Sequence, residues 1–444
     1  MLFRSSIGEF EQAIQLRPNF AEAYLNLGNA RRALGELSRA EVDFRKALSI
    51  KPDYSEAANN LGGVLQDAGR FSEAEEAYRA AEKISPEFFG PRSNLLFHSN
   101  FLLGVNPLDI LRSASDVGFR ISKSVSKKFD RWRSSISPGA LNVGIVSGDF
   151  CNHPVGYFLE GVLSELDRTR VELIAYPTQK KEDDLTDRIK PYFSKWQPLV
   201  GLSDEEAARR IHEDGVQILI DLSGHTAGNR LPVFAYKPAP VQVTWLGYFA
   251  TTGVKEIDYI LGDPYVTPER EADHFVEKIW ALPETYCCFS PPVGAPEVNP
   301  LPALSNGYVT FGCFNNLAKV NERVIELWGR VLQAVPGSKL MLKTKALADE
   351  AVRKRITEQF QAQGVAPDRL ILEGPAPRVE LLGAYGRVDI ALDPFPYPGG
   401  TTSAEALWMG VPVLTKRGDR FLSHVGERSE EHTSELQSRV DISY

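Results

Sequence analysis

Over the first ninety or so residues, apolar and small positions recur with a single spacing. Pro18, Pro52 and Pro86 stand 34 residues apart, and Phe10/Phe44/Tyr78, Ala13/Ala47/Ala81, Leu27-Gly28/Leu61-Gly62 and Ala40/Ala74 keep the same register. A period of this length holds two short antiparallel helices. Small residues at Gly28, Ala40 and Ala47 let the backbones approach, Phe44 fills the space beside them, and the proline ends the second helix. From Leu141 the pattern changes to short apolar runs separated by amphipathic stretches. LNVGIVS, VELIAYP, VQILIDLSG and VQVTWLG read as strands, with helices near 156–166, 183–193 and 203–214 between them. A proline-rich stretch at 291–303 interrupts, and YVTFGCF, KLMLKTK, RLILEGP, DIALDPF and PVLT form a second series. Alternation of this kind predicts two doubly wound parallel sheets, each with a ligand crevice at the carboxyl ends of its strands.

The 34-residue unit resembles the tetratricopeptide repeat. Two full repeats, 21–54 and 55–88, follow the second helix of an earlier one, so the array is expected to begin upstream. Such units bury a face only against a neighbour, and their concave surface suits protein or peptide partners. Asn26, Asn60 and Asn94 recur in register. They would stack side-chain amides along one face, where an extended acceptor peptide could pair with them; helix-capping or solvated asparagines are the alternative. The expected fold is an α-solenoid over 6–91, connecting helices over 92–139, an N-terminal α/β lobe over 140–300 and a C-terminal α/β lobe over 301–427. The stretch RSEEHTSELQS at 428–438 reads as the literal translation of a common sequencing adaptor, and LFRS at 2–5 as the reverse complement of its beginning. Residues 1–5 and 428–444 are therefore expected to be foreign to the protein, which would be cut short at both ends and, as a fragment, destabilised and inactive.

A chain of 444 residues calls for two or three domains. No run of about eighteen apolar residues appears, so no membrane span is expected. The formal charge of −8 leaves one basic cluster, Lys123, Lys127, Lys128, Arg131 and Arg133, which reads as a solvated helical face rather than a nucleic-acid surface. Cys151, Cys287, Cys288 and Cys313 form no C-x-x-C pair and no metal-ligand spacing with histidine. They read as core residues in a reducing compartment, and the chain's start lacks a signal-peptide layout, so a cytoplasmic location is expected.

Candidate chemistry sits at strand ends. YPGGTTSAE (397–405) joins the strand DIALDPF to a helix. Gly399 and Gly400 let backbone approach a phosphate, Thr401 and Thr402 add hydroxyls and N–H groups, and the helix start adds partial positive charge, so a diphosphate fits there. Glu405, one turn on, could accept from ribose hydroxyls. Asn315, Asn316 and Lys319 follow the opening strand of the same lobe, where Lys319 is the cation for a departing diphosphate. In the first lobe, His153 ends the loop after LNVGIVS and His225 the loop after VQILIDLS. Two histidines at matching strand ends suggest function, although a lone histidine is more often structural. No D-x-D pair, P-loop, G-x-S-x-G elbow or Cys/His nucleophile occurs, and a metal-free, cofactor-free mechanism is expected.

In this order behind the repeats, DFCNHP, LSGHTAG, PAPVQVTWLGY, FNNLAK, EGPAP, DPFPYPGGTT and LWMGVPVLT resemble the nucleocytoplasmic protein O-GlcNAc transferases, glycosyltransferase family 41, above all the bacterial and SPINDLY-like members. The resemblance covers essentially all of 6–427. It implies a GT-B fold and inverting, metal-independent transfer of a sugar, GlcNAc from UDP-GlcNAc, to Ser or Thr hydroxyls of proteins bound by the repeats. By motif position it implies that Lys319 binds the departing diphosphate, and that Thr401 and Thr402 hold phosphate oxygens. Glu405 would hold the ribose, Ala376 and Arg378 would read the base, and Asn316 would stand beside the phosphates. His153 would line the sugar and acceptor pocket, either it or the donor phosphate taking the acceptor's proton, with Pro154 and His225 in the same pocket. Leu381 and Gly400 replace histidines of the family pattern, and Arg209 replaces an aspartate once suggested as base. Arg209 argues against a general requirement for that acid, Leu381 and Gly400 leave GDP-fucose as a competing donor, and a catalytically weak repeat scaffold is the reading from another class.

Overall fold

The computed structural model describes residues 2–132 and 139–431, with side chains described from 6 to 426 outside that gap. Arg133 and the side chains of both suspect ends lie outside the described residues. The chain divides into two compact units that do not follow chain order. One comprises the chain through Leu103, Pro292–Gly418 and the chain from Val425; the other comprises Gly104–Pro291 and Asp419–His424.

The first unit begins with helices α1 (Leu2–Leu16), α2 (Ala21–Leu34), α3 (Leu37–Ile50), α4 (Ser55–Asp67), α5 (Phe71–Ile84) and α6 (Gly90–Ser99). Their pairing follows the 34-residue period. A Cβ on Gly28 would stand 2.7 Å from Phe44, and one on Gly62 would stand 2.6 Å from Tyr78, so α2 meets α3 and α4 meets α5 at distances only glycine allows. Ala40, Phe44, Ala47, Ala74 and Ala81 are wholly buried. Arg17, Lys51 and Ser85, each just before a repeat proline, donate their N–H to the carbonyls of Ala13, Ala47 and Ala81. Lys51 and Ser85 leave the helical conformation there, as a residue before proline must.

The second unit opens with α7 (Pro107–Ser124), whose Gly118 lies so close to the Gly253 carbonyl that a Cβ would overlap it at 1.8 Å. Seven parallel strands follow: β1 (Leu141–Ser147), β2 (Val171–Pro177), β3 (Lys195–Trp196), β4 (Ile218–Asp221), β5 (Val241–Thr244), β6 (Tyr259–Gly262) and β7 (Lys278–Ala281). Between them lie α8 (Pro154–Glu165), α9 (Asp184–Ile189), α10 (Asp204–Glu213) and α11 (Leu231–Ala235). The order β3-β2-β1-β4-β5-β6-β7 reverses direction between β1 and β4, with Val143 beside Ile218.

The rest of the first unit repeats this plan. It contains α12 (Pro302–Asn306), β8 (Thr310–Cys313), α13 (Glu322–Ala334), β9 (Lys339–Lys343), α14 (Glu350–Ala362), β10 (Leu370–Glu373), α15 (Arg378–Gly383), β11 (Ile390–Leu392), α16 (Thr401–Trp408) and β12 (Val413–Leu414), and α17 (Phe421–Glu431) follows. The parallel order β10-β9-β8-β11-β12 reverses between β8 and β11, where Phe311 pairs with Ile390. An α-solenoid followed by two parallel α/β sheets is the architecture expected from the sequence.

The repeats share one apolar core with this second sheet, running from Leu25 and Phe44 through Leu317 and Trp328 to Phe395. Polar contacts reinforce it: Asp349 accepts from the N–H and hydroxyl of Ser38 at 2.7 and 2.8 Å. The same carboxylate caps α14 through the N–H groups of Ala351 and Val352. Of the stretch read as connecting helices, α6 belongs with the repeats and α7 with the second unit.

Candidate active site

Ligand crevices of open α/β sheets form where strand order reverses, because loops on the two sides then part in opposite directions. In the first unit, the loops after β8 and β11 flank that point, and they carry both motifs singled out from the sequence. After β8 the chain enters a single 3-10 turn, Leu317–Lys319. Lys319 Nζ donates to the Pro398 carbonyl at 2.8 Å and to Asn315 Oδ1 at 3.2 Å, and it stands 4.0 Å from the centre of the Tyr397 ring. Burial pulls its pKa down from 10.5 to about 8, with buried Asp393 pulling the other way.

Asn315, buried at the end of β8, ties the two loops together. Its Oδ1 accepts from Thr402 Oγ1 at 2.9 Å, and its Nδ2 donates to Asp393 Oδ1 at 3.2 Å. Asp393 also accepts from Ser403 Oγ at 3.0 and 2.9 Å, and burial raises its pKa. Gly399 sits within this knot. A Cβ there would lie 2.2 Å from Ser403 Oγ, 2.5 Å from Thr402 Oγ1 and 2.9 Å from Asp393 Oδ1. Gly400 is different, since a Cβ would meet only Val425, at 3.6 Å. Space alone does not demand glycine at that position.

Helix α16 begins at Thr401, with Thr401 and Thr402 both half-buried at its first turn. The Tyr385 hydroxyl donates to the Thr402 carbonyl at 2.9 Å and so braces the turn from behind. Glu405 is 3% exposed and pairs with Arg378 at 2.8 Å. Burial raises its pKa and the guanidinium lowers it. The acid expected near a ribose and the arginine expected near a base thus stand side by side. Ala376 is half-buried in the loop before α15, and Leu381 packs against the apolar cluster around Phe314 and Tyr385. Asn316 is exposed, and its side chain caps the 3-10 turn by accepting from Ala318 N at 3.1 Å.

In the second unit, the loops after β1 and β4 flank the reversal. His153 caps α8, its Nδ1 accepting from Val155 N at 3.4 Å with Asp149 at 3.5 Å. Burial lowers the His153 pKa and raises that of Asp149, so the imidazole is neutral near pH 7. Pro154 is exposed at the first position of α8. His225 is wholly buried, with Nε2 2.8 Å from the Thr252 carbonyl and its ring edge-on to Tyr248. Burial drives its pKa down to about 4. The sequence placed His225 in a sugar and acceptor pocket; the fold places its ring in the core of this unit. Arg209 is exposed and paired with Glu205 on its own helix at 2.9 Å.

In the repeats, the bonds between side-chain amides do not link the three asparagines that share the 34-residue register to one another. Asn60 donates to Asn29 at 2.9 Å and Asn94 to Asn59 at 2.8 Å, so neighbouring amides bond to one another across the hairpins. Asn60 and Asn94 are half-buried and Asn26 is exposed. None of the four cysteines is in a disulfide; Cys151 and Cys313 are buried, whereas Cys287 and Cys288 are half-buried. Among the described residues, no group of three or more His, Cys, Asp and Glu is placed to hold a metal ion, and no helix is long and apolar enough to cross a membrane.

Sequence reasoning named Asn315, and Tyr397 and Ser403 within YPGGTTSAE, without giving them a role, and did not single out Asp393. The available signal was position: Asn315 and Asp393 both lie at the carboxyl ends of strands adjoining the reversal.

Comparison with known proteins agrees with this architecture. The family profile described as Glycosyl transferase family 41 matches residues 120–289 and 301–434, and tetratricopeptide repeat profiles match 21–54 and 43–87. A Petunia hybrida protein named as a probable UDP-N-acetylglucosamine–peptide N-acetylglucosaminyltransferase SPINDLY is 37% identical over 342 residues, 75% of this chain and 36% of that relative. The corresponding Arabidopsis thaliana protein SEC is 32% identical over 294 residues, 64% of this chain and 30% of the relative. The chain thus spans about a third of the length of these curated relatives. A solved structure of the Thermobaculum terrenum O-GlcNAc transferase, in a lysine-to-methionine mutant form, superposes with a TM-score of 0.92 at 33% identity, over 98% of this chain and 83% of that one. The chain belongs to glycosyl transferase family 41.

Proposed function

We propose that this protein transfers a sugar from a nucleotide diphosphate donor to Ser or Thr hydroxyls of proteins, with inversion and without a metal ion. The observation that carries the reading is the Lys319 ammonium, held at 2.8 and 3.2 Å beside the first turn of α16, where sheet order reverses. In a single displacement the acceptor oxygen bonds to the anomeric carbon as the bond from that carbon to the diphosphate breaks. Negative charge then gathers on the leaving group, and a pre-placed cation with aligned N–H groups stabilises the transition state more than the ground state. Thr401 and Thr402 supply hydroxyl and N–H donors to the phosphates, and Glu405 with Arg378 holds the nucleoside. The hydroxyl proton leaves in the same step, to the donor phosphate or to a neutral base, the role that the family pattern offers His153, whose pKa burial lowers. The relatives' names support UDP-GlcNAc as donor, and the repeats serve the protein acceptor.

Lys319→Ala is expected to lower transfer by at least about a hundredfold while leaving the protein folded, as its circular dichroism spectrum checks. Undiminished turnover would sink the mechanism. Calorimetric titration with UDP and GDP tests the donor: tighter binding of GDP would reassign it to GDP-fucose, the reading favoured by the apolar packing of Leu381 where a stacking ring would otherwise stand.

A further inference from the structure

We propose that Tyr397 is the positioning residue through which the repeat array holds the Lys319 ammonium in place. The inference rests on the reading of Lys319 as the cation that meets the donor diphosphate. Two oxygens hold the ammonium, the Pro398 carbonyl and Asn315 Oδ1, and both belong to loops that could shift together. The third support is the Tyr397 ring, 4.0 Å from Nζ at its centroid. An aromatic face attracts a cation most strongly where water is excluded, and burial here is deep enough to lower the lysine's pKa.

Tyr397 is itself held from the repeats. Its ring lies 5.1 Å from Phe101, which follows the last helix of the array and is 4% exposed. Phe101 packs edge-on against Phe97 at 5.3 Å and stacks at 6.1 Å on Phe71, the first residue of α5. An aromatic row thus runs Phe71, Phe101, Tyr397 and ends on the ammonium. Packing beside this row is incomplete: a cleft of about 470 Å³ separates Phe71 and Phe101 from Leu317, Val320 and Arg355. The row therefore gives a displacement of α5 or α6 a direct path to the ammonium, beside the apolar core that the repeats share with Leu317 and Val320.

The test uses the full chain with Tyr397→Phe, Tyr397→Leu, Phe101→Leu, Phe101→Met and the double variant Phe101→Leu/Tyr397→Leu, each checked for an unchanged circular dichroism spectrum. Two readouts are taken: UDP affinity by calorimetry, and the pH midpoint of Lys319 acetylation by a small anhydride, followed by mass spectrometry. Tyr397→Phe keeps the ring and is expected to stay within about twofold of the parent. Tyr397→Leu keeps water out but removes the aromatic face, so UDP affinity falls about tenfold and the acetylation midpoint falls, because the cation has lost its partner. Phe101→Leu, or Phe101→Met should the leucine variant fail to fold, weakens UDP binding severalfold, and the double variant is no worse than Tyr397→Leu alone. Parental affinity and midpoint in Tyr397→Leu would overturn the positioning role, and additive losses in the double variant would overturn the link to the repeats. If Lys319→Ala leaves UDP affinity untouched, the diphosphate reading falls, while the acetylation midpoint still reports on the contact between Tyr397 and Lys319.

Discussion

Asn315 and Thr402 stand 87 positions apart in sequence and are joined by a 2.9 Å hydrogen bond from the threonine hydroxyl to the amide oxygen. That oxygen also accepts from Lys319, so one side chain sets the spacing between the cation and the helix start. The arrangement exists because β8 and β11 are neighbours at the reversal of the sheet.

Asn315→Ala removes that common acceptor and leaves Lys319 with the Pro398 carbonyl and the Tyr397 ring. A hydrogen bond to a charged group contributes about 1.5–3 kcal/mol, so UDP affinity is expected to fall roughly tenfold or more. Calorimetric titration checks this. Ser403 still satisfies Asp393, so the unfolding midpoint should move little.

Lys319 in the free protein has a pKa of about 8, and a diphosphate brought beside it favours the charged form. At pH 8.5, UDP binding is therefore expected to take up a fraction of a proton; at pH 7, where the lysine is already charged, it takes up almost none. Calorimetry in buffers of different ionisation enthalpy measures the difference, and Lys319→Met should abolish it. The sign for stability is the reverse of an ion pair's. The folded pKa lies below the unfolded one, so the free chain gains stability as pH rises from about 8 towards 10.5.

Gly28 and Gly8 predict opposite outcomes for the same substitution. A methyl on Gly28 would press on wholly buried Phe44 at 2.7 Å, and overpacking of this kind costs about 1–3 kcal/mol. Gly8 lies in α1 with nothing within 4 Å of its Cβ position, so alanine there relieves the helix of glycine's entropy and adds roughly 0.5–1 kcal/mol. Denaturant unfolding of Gly28→Ala and Gly8→Ala separates the two.

His225 should make the second unit acid-labile. Its folded pKa, about 4, lies below the ordinary 6.5, so the unfolded chain binds the extra proton. Stability present above pH 6.5 is lost as pH falls towards 4, by up to about 3 kcal/mol for this group. His225→Gln should flatten unfolding stability measured across that window; an unchanged slope would show that the imidazole titrates normally.

The strands β1 and β2 were legible to the residue, because each is a seven-residue run with five successive buried positions. The strands β3, β6 and β7 were not: β3 is two residues long, and β7 is an edge strand with exposed Lys278 and a half-exposed Trp280. Such short or one-sided segments carry too little apolar periodicity to stand out. At the candidate site, Lys319, Thr402 and Glu405 were visible from their places between a strand end and a helix start. Between the paired asparagines, sequence favoured Asn316, whereas the structure turns Asn315 inward to Lys319 and uses Asn316 as a cap. His225 was misplaced for a similar reason: a histidine at a strand end looks alike whether its ring turns towards solvent or, as here, into the core.

The helical hairpins and their close contacts were readable from the chain alone, because a 34-residue period and its small residues act within one repeat and its neighbour. So were the two parallel sheets that follow, because strand-helix alternation leaves few other ways to bury their faces. Strand order, the pairing of loops 78 and 87 positions apart around Asn315, and the placing of the repeats in one core with the second sheet emerged with the folded molecule. Those contacts join residues distant in the chain, so local patterning carries no record of them. They appear only when the strands take their places in the sheet.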